Sequence, residues 1–389
     1  MVKNKSYLVI SAGRSDYFRY LPIIEGLQNS KKAKVFLYTC QSYNNNFFGN
    51  LKKEVGKKFH LINNRVCNKN VFLGDEPDDI VQNFIIDFEF LSLYIKKNKP
   101  DFILIMGDRY EMLLAPILSI PHNIPLIHFF GGAITEGSTD ELSRHALTKM
   151  SHFHFVLTDK YKKRLEQLGE ERWRIKTIGM PNLKNIINLR SNIITLKKKF
   201  GFNFSKPFML VTFHPVTVEI NSLNYQINSL IKAIKQSKIN AVITYPNSDI
   251  KFSVIVKKLK KNLKDKKKYI FIKNLGEENY FTLMKEACLM LGNSSSGIVE
   301  SASFKLPVVN IGTRQDGKIK PSNIINTDYK LKNILKAIRH CRKKSFLNKI
   351  NNLRNPYKSR LSPKKIVNII LNLKANDKLL RKKFIDLKL

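Results

Sequence analysis

Short apolar runs that stop at Gly, Ser or Asp, each followed by a helix-like pattern, recur along the whole chain, and this alternation constrains the fold more than any other feature. Strands covered on both faces read as continuous apolar runs, and helical crossovers between them join parallel neighbours. An α/β chain with parallel sheets is therefore expected. YLVI at 7–10, VFLY at 35–38 and FILIM at 102–106 read as strands, and PLIH at 125–128 and FHFVL at 153–157 continue the series. A Lys-rich helical stretch follows Ile178-Gly-Met-Pro181. A second set then begins with FMLVTF at 208–213 and runs through AVIT at 241–244, YIFI at 269–272, CLML at 288–291 and PVVNI at 307–311. The 389 residues suit two domains of ordinary size. The expected division is an N-terminal Rossmann-like domain over 1–180, a C-terminal one over 181–362, and a helical segment, 363–389, with room to cross back onto the first. Two such halves imply a cleft between them.

A hydrophobic content of 43% excludes a chain that stays disordered. The formal net charge of +39 invites a nucleic-acid or anionic-membrane partner. The excess, however, is Lys scattered among Asn and Ile with short clusters such as 257–261, 266–268 and 381–383, the pattern of solvated helix faces, and no aromatic-basic recognition motif accompanies it. Neither nucleic acid nor membrane is expected as a partner. Tight duplex binding with a steep salt dependence would reverse that expectation. Cys40, Cys67, Cys288 and Cys341 lie far apart without CxxC spacing, which suggests neither a zinc site nor a disulfide framework and fits a reducing cytoplasm. The opening MVKNKSYLVISAGRSDY has an apolar stretch too short for a signal-peptide core or a membrane span.

Ligands of open parallel sheets bind beyond the carboxyl ends of the strands, so polar residues just after strands are the first suspects. Gly13 after the first strand permits a turn that aims Arg14 and a helix start at an anion; equally, Asp16 could simply cap that helix. Gly292-Asn-Ser-Ser-Ser-Gly297 places Ser294, Ser295 and Ser296 at the start of a helix near Gly297, a shape suited to a diphosphate, with Glu300 placed to accept ribose hydroxyls. A Ser-rich start with only a capping duty is the alternative. Gly107-Asp108-Arg109 sets a carboxylate and a guanidinium at a central strand tip, where burial and adjacent charge pull the Asp108 pKa in opposite directions. The loop after Gly131-Gly132 carries Glu136, Asp140 and Glu141, with Arg144 and His145 about one helical turn beyond Asp140; a solvated acidic loop with Asp140 paired to Arg144 is the plain alternative. His214 and Asn247 follow strands of the second set. His152 and His154 read as packing residues, since no third ligand is near enough to complete a metal site.

Taken together these blocks resemble the UDP-N-acetylglucosamine 2-epimerase family, in particular its hydrolysing branch that feeds sialic and related nonulosonic acid synthesis. The resemblance runs from Gly13-Arg-Ser-Asp-Tyr17 through Gly107-Asp-Arg109, His128 with Gly131-Gly132, Asp140-Glu-Leu-Ser-Arg-His145, Thr148-Lys-Met-Ser-His152, His214-Pro-Val-Thr217 and Tyr245-Pro-Asn247 to Gly292-Asn-Ser-Ser-Ser-Gly-Ile-Val-Glu300 and Asn310-Ile-Gly-Thr-Arg-Gln315. It implies two Rossmann-like domains facing a cleft, of the glycosyltransferase B type, with UDP held mainly by the C-terminal domain. Ser294, Ser295, Glu300 and Arg314 match nucleotide-binding positions; Arg14, Arg109, His214 and Asn247 match positions that close around diphosphate and sugar; Asp108 and Asp140 match carboxylates linked to catalysis. Ser296, Arg144 and His145 complete the expected substrate contacts, and His214 joins the catalytic set. Relatives suggest a homo-oligomer, dimer or tetramer.

One departure stands out. Hydrolysing relatives often place a glutamate beside the paired glycines, where this chain has Phe130 before and Ala133 after. Glu136, within Thr135-Glu-Gly137 as in the family, is expected to take over that role. The implied chemistry starts at the anomeric bond, because the sugar C2 proton is not activated by a carbonyl: UDP leaves first, a carboxylate removes the C2 proton to give a glycal, and water adds back. No nicotinamide, other cofactor or metal is called for. The same reaction on UDP-2,4-diacetamido-2,4,6-trideoxyglucose stays open, favoured by the apolar Phe130 and Ala133. A non-hydrolysing 2-epimerase and a glycosyltransferase of the same fold are the further alternatives.

Overall fold

The structure is a computed structural model that describes residues 4–41, 59–62, 73–183 and 192–386. The chain divides into two units, the first formed by Met1–Ala133, Asp140–Asn182 and Ser359–Leu389, the second by Ile134–Thr139 and Leu183–Lys358.

The described residues of the first unit hold a seven-stranded sheet built from β1 (Lys5–Ser11), β2 (Ala33–Thr39), β3 (Leu61–Ile62), β4 (Phe102–Met106), β5 (Leu126–Phe129), β6 (Phe153–Val156) and β7 (Ile175–Thr177). Their order is β3-β2-β1-β4-β5-β6-β7, and every pairing is parallel. Each residue of β4, β5 and β6 is buried, as the unbroken apolar runs require. The second unit holds β8 (Phe208–Thr212), β9 (Asn240–Thr244), β10 (Tyr269–Ile272), β11 (Leu289–Gly292), β12 (Val308–Ile311) and β13 (Ile324–Thr327), in the order β10-β9-β8-β11-β12-β13, again all parallel. These are two Rossmann-like domains of the glycosyltransferase B type. Strands β3, β7 and β13 escape a reading by apolar runs because they are short edges whose residues are partly solvent-facing.

Strand order reverses direction between β1 and β4 in the first sheet and between β8 and β11 in the second. Loops leaving the two strands of such a pair diverge to opposite faces, and the crevice they leave is where ligands of this fold class bind. Gly13, Asp108, His214 and Ser294 all lie within two residues of the ends of these four strands.

The carboxyl-terminal stretch is part of the first unit. Helix Pro363–Asn372, capped by Ser362, lies on helix Arg14–Asn29 so closely that a Cβ on Gly26 would sit 2.7 Å from a Val367 methyl. Lys5 Nζ donates to Leu371 O and Leu373 O at 2.7 and 2.6 Å, satisfying carbonyls at the end of that helix. Lys382 Nζ does the same for helix Asp140–Met150, reaching Lys149 O at 2.8 Å and Ser151 O at 2.6 Å. The six residues 134–139, expected within the first domain, cluster instead with the second unit. There Glu136 N–H donates to Asp316 O at 3.2 Å and Thr139 N–H to Thr217 Oγ1 at 2.9 Å.

Candidate functional site

In the first unit the polar ends of β1 and β4 are joined by charge. Gly13 precedes helix Arg14–Asn29, which Arg14 opens, and no side chain caps it. Asp16 turns back to accept the Ala12 N–H at 3.2 Å, so it orders the turn after β1 instead of capping the helix. Burial raises the Asp16 carboxyl to about 6, against the pull of Arg109 and Arg19. Arg109 is buried and grips Glu111 with two bonds, Nε to Oε2 at 3.0 Å and Nη2 to Oε1 at 2.7 Å. His128 Nε2 donates to Gly107 O at 2.8 Å, and burial lowers this imidazole to about 3, so a neutral ring steadies the loop just before Asp108.

Arg144 is the centre of the other half. It is 1% exposed, ion-paired with both Asp108 and Glu141, and donates to Ala133 O at 2.9 Å. Burial pulls its guanidinium down to about 10, still charged at neutral pH. Its partners thus include a carboxylate 36 positions away and Glu141 one turn back. His145 Nε2 lies 3.0 Å from the same Glu141. Half-buried Asp140 opens the helix that carries Glu141, Arg144 and His145. Phe130 adopts φ 70°, a left-handed conformation unusual for a bulky residue, held by its N–H donating to Phe155 O at 2.6 Å. Both Phe130 and Ala133 are buried.

In the second unit the ends of β8 and β11 are joined by amides. Asn293 is 1% exposed and clasps His214 reciprocally: Oδ1 accepts the His214 N–H at 2.7 Å, and Nδ2 donates to His214 O at 2.9 Å. The Asn293 carbonyl accepts from Gln315 Nε2 at 2.8 Å and Arg314 Nη1 at 3.4 Å. His214 Nδ1 accepts the Asn247 N–H at 3.2 Å and lies 3.5 Å from Asp249 Oδ2, which is also 3.6 Å from Arg314 Nη2. The fold demands glycine at 292: its φ is +137°, and a Cβ there would stand 2.0 Å from Thr212 O on the paired strand. Gly137 is equally constrained by approach, since its Cβ would come within 2.5 Å of Arg314 Cα. Exposed Glu136 is therefore carried on a loop whose backbone rests against Arg314.

Two of the three serines, Ser294 and Ser296, form a hydroxyl chain with Tyr280. Ser294 Oγ is 2.9 Å from Ser296 Oγ, which is 2.6 Å from the hydroxyl of Tyr280 on helix Glu277–Glu286. Burial, partly offset by Ser296, pushes the Tyr280 phenol up to about 12, so it stays a neutral hydrogen-bonding group. The helix expected from Gly297 is a single turn, Ser296–Val299, with buried Glu300 at its end. So short a helix carries little macrodipole, and donors for an anion would be hydroxyls and local N–H groups. Glu111, Asp249, Tyr280 and Asn293 were not singled out from sequence. Glu111, two residues beyond Arg109, and Asn293, the first residue past β11, offered a local signal.

His152 and His154 are structural. His152 Nδ1 accepts from Leu126 N–H at 3.1 Å, and His154 Nε2 lies 3.1 Å from buried Glu170, which also holds Lys149 and Lys382. Among the described residues no three His, Cys, Asp or Glu side chains gather as metal ligands, and no helix is long and apolar enough to cross a membrane.

The sequence profile of the family described as UDP-N-acetylglucosamine 2-epimerase matches residues 32–371. The chain is 32% identical to a Campylobacter jejuni protein named GDP/UDP-N,N'-diacetylbacillosamine 2-epimerase (hydrolyzing), over 99% of this chain and 100% of that one. A Legionella pneumophila protein named UDP-N,N'-diacetylbacillosamine 2-epimerase (hydrolyzing) is 37% identical over 62% of this chain and 63% of its own length. Among solved structures, UDP-GlcNAc 2-epimerase from Neisseria meningitidis bound to UDP-GlcNAc superposes with a TM-score of 0.76 at 18% identity, covering 95% of this chain and 100% of that one. With the matching profile spanning most of its length and both sheets in place, the chain belongs to the UDP-N-acetylglucosamine 2-epimerase family.

Proposed function

We propose that the protein is a hydrolysing 2-epimerase of a UDP-2-acetamido sugar, releasing UDP and the free sugar inverted at C2. The observation that carries this reading is the placement of its chemistry. Ionisable groups stand at the β1/β4 switch of one unit, and hydroxyl, amide and cationic groups at the β8/β11 switch of the other. The first kind suits proton transfer and the second suits a diphosphate.

In this mechanism Arg14, Arg109, Arg314 and Ser294 to Ser296 stabilise the charge that grows on the diphosphate as the C1–O bond breaks, with its electron pair leaving on UDP. A carboxylate, Asp108 or Asp140, takes the C2 proton, and the C1=C2 bond of a glycal forms. Water then adds hydroxide at C1 and a proton at C2 from the opposite face, with Glu136 as the acid. His214, Asn247, Arg144 and His145 orient the substrate, and Glu300 accepts the ribose hydroxyls. Replacement Glu136→Gln should lower kcat by about 100-fold or more while UDP binding is kept. Near-normal turnover would remove Glu136 from the mechanism.

UDP-N-acetylglucosamine is the first substrate on this reading. UDP-N,N'-diacetylbacillosamine, the 2,4-diacetamido-6-deoxy analogue, is a second with support of its own. The Campylobacter and Legionella relatives carry that name, and Phe130 and Ala133 are both apolar and buried. Turnover of the two nucleotide sugars side by side ranks them. Proton NMR in heavy water tests the reaction: one equivalent of UDP and deuterium at C2 of a free sugar are expected. Label in an intact UDP-sugar without free UDP would instead indicate the non-hydrolysing reaction, and no turnover without an acceptor would indicate a transferase.

A further inference from the structure

A carboxylate stands where the proposed function needs positive charge. Asp249 is 9% exposed in the loop after β9, with Oδ2 3.5 Å from His214 Nδ1, which is assigned to orient the substrate, and 3.6 Å from Arg314 Nη2, which is assigned to the diphosphate. By Coulomb's law alone a buried negative charge at that distance opposes the binding of an anion. Neighbouring contacts suggest what offsets that cost. The His214 backbone is fixed on both sides by Asn293, and its ring is held at Nδ1 by the Asn247 N–H, which on a neutral imidazole leaves the proton on Nε2. Arg314 has a long side chain with many rotamers, anchored at one nitrogen by the Asn293 carbonyl and at the other by Asp249.

Resting on the nucleotide-binding reading of this unit, we propose that Asp249 is a positioning residue that fixes Arg314 in the orientation that receives the diphosphate of UDP. A cation already held in its binding orientation loses less freedom when the phosphate arrives, so affinity rises although a negative charge is present. Asp249 touches no reacting atom on this account and acts only through Arg314.

The sign of one effect separates positioning from plain repulsion. Calorimetric titration of UDP into the full-length protein should show Asp249→Asn and Asp249→Ser binding at least fivefold more weakly than wild type. In an Arg314→Ala background, where little is left to position, Asp249→Asn should be neutral or should tighten UDP binding. The same isosteric change should raise KM for the UDP-sugar more than it lowers kcat. With Arg314 intact, Asp249→Asn or Asp249→Ser binding UDP as tightly as wild type or tighter would overturn the inference, as would equal weakening with and without the Arg314 side chain, which marks a general structural role. Absence of UDP binding by the wild-type protein is a different result, one that removes the nucleotide-binding reading itself.

Discussion

The carboxyl ends of the two sheets solve the same geometric problem with different bonds. In the first unit, Arg109 with Glu111 and Arg144 with Asp108 and Glu141 tie the loops by paired full charges that are largely out of water. In the second, Asn293, Gln315 and a run of hydroxyls do the tying with neutral donors and acceptors, and Asp249 is the carboxylate that stands between His214 and Arg314. A lattice of ion pairs is rigid and unforgiving, since removing one partner strands the other in low dielectric. An amide and hydroxyl lattice loses about 1 kcal/mol per bond and keeps donors that can turn toward an incoming anion. On the proposed function, the contrast suits a first unit that holds proton-transferring groups in place and a second that adapts to a nucleotide.

The contrast would break first at Arg144. Arg144→Met leaves Asp108 and Glu141 without their cation, and a loss of about 3 kcal/mol of stability together with most turnover is expected; thermal unfolding and a UDP-release assay read both. A variant as stable as wild type would show that charge does not hold the first unit's loops. Next in size is Gly292→Ala in the second unit, where the positive φ and the 2.0 Å approach to Thr212 O should cost about 2 kcal/mol or more. Denaturant unfolding gives the number, and an unchanged midpoint would contradict the close approach of β8 and β11. Ser296→Ala should cost only about 1 kcal/mol in UDP affinity, roughly fivefold, because only the neutral hydroxyl that links Ser294 to Tyr280 is lost. A loss as large as that for Arg144 would erase the distinction between the two lattices.

The finest comparison is a pH slope. Buried Asp87 accepts from Tyr38 Oη at 2.6 Å and Gln41 N–H at 3.0 Å, and burial nonetheless raises its carboxyl to about 7. Its folded pKa therefore lies above its unfolded value near 4, so the folded state keeps a proton that the unfolded state has released. The stability this proton contributes is complete below about pH 4 and is lost as pH rises through about 7. Asp87→Asn should flatten that decline in melting temperature between pH 4 and 7. Parallel curves for the two proteins would mean that Asp87 is ionised throughout.

Interior strands were legible because burial on both faces leaves an unbroken apolar run: β4 coincides with the stretch read at 102–106, and β8 falls within the one at 208–213. The edges β3, β7 and β13 were not, since they hold at most two consecutive apolar residues, whereas the edge β10 keeps the run YIFI and was read at 269–272. The same split applies to the polar residues. Asp108, His214 and Ser294 could be picked out by a local rule, namely what stands just past a strand. Their partners could not, because pairing is a property of register. Asn293 meets His214 across 79 positions, and Arg144 meets Asp108 across 36, distances over which sequence spacing carries no geometry. Glu219 illustrates the same blindness on a smaller scale: unremarkable in sequence, it receives Thr313 and Tyr329 from about a hundred residues away.

Neither unit is an uninterrupted stretch of chain: the first is assembled from three pieces and the second from two. A gene fragment ending at residue 182 would therefore encode a sheet whose helix Arg14–Asn29 has lost its cover from Pro363–Asn372, and a fragment covering 183–358 would lack the six residues that rest on Arg314 and Thr217. Splitting this protein at a single backbone position cannot yield two self-sufficient halves. Attempts to study nucleotide capture in isolation would need 134–139 grafted back, and the first half would need its tail returned by permutation or by complementation in trans.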